Sequence, residues 1–136
     1  MRFRKKVIVD FDGVLHAYKT PWTCPEEIHD GPAKGALEAV QSYIDAGFEV
    51  VVMSSRARTL GGESAICRWL SENGFPTLRV TDVKEGGVLY IDDRGYHFTG
   101  SNWPSAEFVR NFKPWNKQMG DVEPYIDKEA ADGAGS

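Results

Sequence analysis

Apolar residues fall along this chain in two alternating rhythms, short and mostly apolar runs and stripes at helical spacing. The runs occupy residues 7–9, 48–53, 77–80 and 88–91. A short apolar run bounded by turn residues predicts a strand buried on both faces. Between the first two runs, Ala36, Leu37, Val40, Tyr43 and Ile44 recur at helical spacing. Gly31-Pro32 is expected to open that helix and Gly47 to end it. Ala65, Ile66, Trp69 and Leu70 form the stripe of a second helix, preceded by Gly61 and Gly62 and closed by Asn73-Gly74. Residues 105–112 predict a last helix, and His97-Phe98 a short extra strand. Residues 16–30 hold Tyr18, Pro21, Trp22 and Pro25 and read as a loop over the carboxyl end of the sheet. Strands alternating with helices predict an α/β fold with a mainly parallel sheet.

Length and charge narrow this further. At 136 residues, one domain is expected over residues 1–115, followed by a loosely ordered tail over 116–136, where hydrophobic spacing fades. No apolar run reaches membrane-spanning length, and no membrane partner is expected. Met1 to Lys6 leads into a strand rather than a signal-peptide core. Cys24 and Cys67 fit neither a disulfide framework nor a zinc cluster, and Cys67 reads as a small core residue. A reducing, cytoplasmic location is the corresponding expectation. The net charge of -4 argues against a broad nucleic-acid-binding face but leaves room for a local basic pocket.

The first run leads directly into Asp10-Phe11-Asp12-Gly13. In extended chain, Asp10 and Asp12 project to one side and Phe11 to the other. Two like charges at a strand end need a cation or a shared proton, and oxygen ligands favour magnesium. A strand followed by an ordinary turn is the plainer reading of the same four residues. Two further strands also finish in polar residues: Ser54-Ser55-Arg56 after the second, Asp92-Asp93-Arg94 after the fourth, with Lys84 shortly before that strand. In a parallel sheet those ends share one edge, and convergent titratable groups mark a site. Taken singly, Ser54 is a turn cap, Lys84 a surface charge, and Asp92-Asp93 the start of a loop. His16 and His29 are candidate substrate contacts, although a lone loop histidine is more often hydrogen-bonded or exposed. Trp22 is a candidate to stack on a ring or to pin the loop.

The ordered set Asp10-Phe11-Asp12-Gly13-Val14, Ser54, Lys84 and Asp92-Asp93 resembles the four motifs of the haloacid dehalogenase-like (HAD) phosphohydrolases. That resemblance implies a Rossmann-like three-layer sandwich. It casts Asp10 as a nucleophile forming an aspartyl-phosphate and Asp12 as general acid/base. Ser54, Ser55 and Lys84 would hold phosphoryl oxygens, and magnesium would sit among Asp10, the Asp12 carbonyl, Asp92 and Asp93. The intervals between motifs leave no room for an inserted cap domain. Ser54-x-Arg56 is further similar to the phosphatase domain of polynucleotide kinase–phosphatases. This makes Arg56 a candidate phosphate contact, with Arg58 and Arg94 weaker ones. The implied substrate is a phosphorylated small molecule, a nucleotide or a nucleic-acid end. Two alternatives stand beside it: a receiver-like domain accepting phosphate on Asp82, and a non-catalytic domain binding metal or a phosphorylated ligand.

Overall fold

The computed structural model describes residues 4–115. The anticipated tail over 116–136 lies outside the described residues. The chain forms two compact units, divided between Asp92 and Asp93.

The first unit is built on β1 (Lys6–Asp10), α1 (Ala36–Asp45), β2 (Glu49–Met53), α2 (Leu60–Glu72), β3 (Arg79–Thr81) and β4 (Leu89–Ile91). A 3-10 turn at Ser55–Arg58 joins β2 to α2. All strand pairs are parallel, in the order β3-β2-β1-β4. The fold is therefore α/β with an all-parallel sheet. Valine and isoleucine dominate β1 and β2, where β-branched side chains suit a surface covered on both faces. Val7, Val9, Phe11, Val50 and Val52 share one cluster with Val40 of α1 and with Ile66, Trp69 and Leu70 of α2. Both helices thus pack on one face of the sheet. Ile8 and Val51 turn to the other face and are equally buried. The connection from β3 to β4 passes close to Ile8, where a Cβ on Gly87 would meet Ile8 Cγ1 at 2.8 Å.

Several element boundaries differ from the expected ones. The first helix begins at Ala36 rather than at Gly31-Pro32, because Pro32 is engaged in a bridge with His16. Gly61 and Gly62 lie inside α2 instead of preceding it, since Thr59 caps the helix and its hydroxyl accepts from Gly62 N at 2.9 Å. Gly62 has a steric role there. A Cβ at that position would lie 1.9 Å from the Arg56 carbonyl oxygen, so α2 can approach the turn only without a side chain. Gly62→Ala should cost about 1–3 kcal/mol through enforced displacement. The check is a urea midpoint that falls with an unchanged slope; an unchanged midpoint would contradict it. Cys67 is exposed, on the solvent side of α2, and is not a core residue.

In the second unit, α3 (Ala106–Asn111) is capped by Ser105, whose hydroxyl accepts from Phe108 N at 3.0 Å. The expected strand at His97-Phe98 does not form. The Asn102 side chain accepts from Thr99 N and donates to His97 O, tying that segment into a turn instead. Among the described residues, no helix is long and apolar enough to cross a membrane.

Candidate functional site

Strand register brings the sequence-distant polar residues to one edge. Asp10 pairs with Met53, and Met53 with Thr81. Val9 pairs with Ile91, so Asp92, the next residue, comes level with Asp10. The chain leaves β1 towards β2, yet β4 lies on the opposite side of β1. Asp10 and Asp92 therefore flank the point where the connections diverge, which is where open parallel sheets bind ligands. Asp10 is partly exposed and Asp92 exposed. Ser54 follows directly after β2 and is buried. Its backbone N–H donates to Thr81 O at 2.9 Å, and its hydroxyl accepts from Arg56 N at 3.1 Å. Ser55 opens the turn beyond it and is exposed.

Arg56 differs most from its expected role. Its side chain is 1% exposed, and its guanidinium is spent inside the protein. Nε donates to Asp12 Oδ2 at 2.9 Å, and Nη2 to Asp12 Oδ1 at 3.0 Å. Nη1 donates to the carbonyls of Cys24, Pro25 and Glu27 at 3.2, 2.9 and 3.0 Å. The planar fork of an arginine suits this bidentate grip on a carboxylate. Arg56 therefore fastens the loop of residues 16–30 to Asp12. Trp22 of that loop covers the guanidinium, its ring centroid 4.4 Å from Cζ.

His16 holds Asp12 from the other side. Its Nε2 accepts from Asp30 N at 3.1 Å, which leaves Nδ1 as the protonated nitrogen donating to Asp12 Oδ1 at 2.8 Å. The ring is buried against Phe11 and Trp69. Asp30 organises the loop: its carboxylate accepts from Lys19 N, Thr20 N and the Thr20 hydroxyl, and its carbonyl from Trp69 Nε1. Sequence reasoning gave Asp30 no role. The available signal was a carboxylate closing a turn-rich loop. His29 lies in the same loop, 2.9 Å from the Thr23 hydroxyl.

Burial by itself would raise the Asp12 carboxyl, but the hydrogen bonds from His16 and Arg56, with the Arg56 charge, outweigh it and hold it below the usual carboxylate range. Its folded pKa is thus depressed, so the stability it contributes is complete above the ordinary carboxylate pKa. That contribution is lost as pH falls through and below that range. Wild type should lose stability on acidification below about pH 4. Asp12→Asn should be less stable at pH 7 yet show a flatter acid limb in equilibrium denaturation. Parallel pH profiles would contradict this.

Lys84 and Asp93 stand differently. Lys84 is exposed, with its ammonium 4.9 Å from the Tyr90 ring centroid. Tyr90 pairs with Ile8, two residues short of the carboxyl edge. The adjacent Glu85 bonds Lys6 and Arg79 at the opposite end of the sheet, and these two cations pull its carboxyl down to about 2. Asp93 opens the second unit, its side chain 2% exposed and 3.8 Å from Arg94 Nε. Arg58 and Arg94 are exposed.

Among the described residues, no three His, Cys, Asp or Glu side chains form a metal-binding group. The donors at the β1–β4 edge are two carboxylates, Asp10 and Asp92, near the Asp12 main chain. That sparse, hard-oxygen set fits magnesium, which keeps several waters and takes one or two carboxylates beside substrate oxygens. Comparison with protein-family models, curated proteins and solved structures returned no match to this chain.

Proposed function

We propose that this chain is a magnesium-dependent phosphatase of HAD-like, capless type, within the Rossmann-like three-layer class, acting through an aspartyl-phosphate on Asp10. The observation that carries the proposal is the register that sets Asp10 level with Asp92 at the diverging edge of a parallel sheet. The capless reading is supported by the connections. Only a loop separates β1 from α1, and only the 3-10 turn and α2 lie between β2 and β3. The substrate class that fits is a phosphate monoester, with nucleotides and nucleic-acid ends foremost.

Asp10, the Asp12 carbonyl and Asp92 would hold the magnesium ion, with Asp93 the adjacent acid. Bound there, the ion would offset the repulsion between Asp10 and an anionic phosphoryl group. The protein's own part is as follows. An Asp10 carboxylate oxygen attacks phosphorus, the ester P–O bond breaks, and the leaving oxygen takes a proton from Asp12. Water then attacks phosphorus, Asp12 takes its proton, phosphate departs and Asp10 is restored. The pairing of Asp12 with Arg56 and His16 sets a condition on the first step. Asp12 must gain its proton as the phosphate arrives, since a second negative charge beside it favours the neutral carboxyl. Ser54 and Ser55, just beyond β2 beside Asp10, would supply hydroxyls for phosphoryl oxygens. Lys84, lying against Tyr90, is the remaining candidate for a phosphoryl contact.

Incubation with p-nitrophenyl phosphate tests the reading. Turnover that requires magnesium and is removed by a chelator is expected. Without turnover, labelling of Asp82 by acetyl phosphate would favour a receiver-like domain. Asp82, however, follows the edge strand β3, two strands away from Asp10. Neither turnover nor labelling, with metal or phosphate still bound, would leave the non-catalytic binding domain.

A further inference from the structure

Trp22 is oddly placed for a residue that only packs. It is 44% exposed, although one face of its ring lies on the buried Arg56 guanidinium. Arg56 in turn grips Asp12, so the indole stands one residue removed from the proposed acid/base. Its loop is held at many points. Arg56 binds three of its carbonyls, and Asp30 caps Lys19 and Thr20. The indole is therefore presented to solvent with little freedom left to lose on binding. We propose that the outer face of Trp22 is a stacking surface for a flat aromatic group attached to the substrate's phosphate, a nucleobase foremost.

This inference rests on the phosphatase reading and assigns that site its selectivity. A base has a π-face whatever its identity, so stacking would select ring-bearing phosphates without reading sequence. Arg56 fixes the inner face by a cation–π contact.

The test compares kcat/KM of wild type, Trp22→Leu and Trp22→Phe on three substrate types: nucleoside 3′- and 5′-monophosphates, p-nitrophenyl phosphate and glycerol phosphate. Trp22→Leu keeps an apolar cover over Arg56 while removing the ring. It should lose about 10-fold or more on nucleotides and stay within about 2-fold on glycerol phosphate. Trp22→Phe should retain most of the nucleotide rate. Loss on nucleotides alone, or on both ring-bearing substrates, supports the proposal. Equal losses on all substrates would reduce Trp22 to a cover for Arg56, and no loss on any would remove it from the site. Glycerol phosphate turnover by wild type, absent in Asp10→Asn, reports separately on the phosphatase reading. If that reading fails, calorimetric binding of nucleoside monophosphate still decides the stacking. Affinity above that for glycerol phosphate and lost in Trp22→Leu upholds it; equal affinities overturn it.

Discussion

Asp10→Asn should abolish phosphatase turnover, by on the order of 10⁴-fold or more, while leaving the fold intact. The size follows from the role. A nucleophile that forms the covalent bond has no substitute at the same position, and an amide is a far poorer nucleophile than a carboxylate. Folding should survive because Asp10 ends β1 and is partly exposed, while the pairing of β1 with β2 and β4 depends on backbone groups. Circular dichroism matching wild type, with p-nitrophenyl phosphate turnover at background, is the expected pair of results. Retained turnover would remove Asp10 from the reaction. Loss of structure together with activity would give Asp10 a structural role instead.

Arg56→Ala should unfold the protein at lower denaturant, by about 3–5 kcal/mol, because it strips a buried ion pair of one partner. Three effects coincide at this residue. Asp12 loses its bidentate donor, the carbonyls of Cys24, Pro25 and Glu27 lose theirs, and Trp22 loses the cation beneath it. Arg56→Lys keeps a charge but not the planar fork, and should recover only part of the loss. Chemical denaturation of both variants is the measurement. A cost for Arg56→Ala below about 1 kcal/mol, typical of a surface ion pair, would contradict the buried, loop-fastening role. Activity in Arg56→Ala should fall as well, because Asp12 would no longer be held in one orientation.

Strands and their order of polar ends were legible because β-branched runs are short and unambiguous here. Val7-Ile8-Val9 and Val50-Val51-Val52 became adjacent central strands in register. Helix starts were less legible, because they are decided by long-range contacts. Pro32 suits the first turn of a helix, but its bridge to His16, 16 positions earlier, takes it out of α1. Gly61-Gly62 reads as a breaker until the Arg56 carbonyl shows why a missing Cβ is needed inside α2. Cys67 follows Ile66 in the apolar stripe, and one helical position was enough to move it to solvent.

The candidate site was legible in outline and not in its wiring. Asp10 and Asp92 meet an edge that strand period and parallel pairing foretell. The expectation that Arg56 faces phosphate assumed an exposed guanidinium, and burial at 1% reverses that geometry. His16 and Asp30 could not be paired from sequence, since their partnership depends on how a 15-residue stretch folds back on Trp69. A histidine four residues after Asp12 was the single local hint.

In the proposed site, Asp10 at the end of β1 and Asp92 just beyond β4 share one hard cation. Crystals soaked in manganese, which takes the same oxygen ligands as magnesium, test it through anomalous scattering. One strong peak is expected within about 2.1 Å of both an Asp10 and an Asp92 carboxylate oxygen. A peak elsewhere, with neither carboxylate in reach, would contradict it.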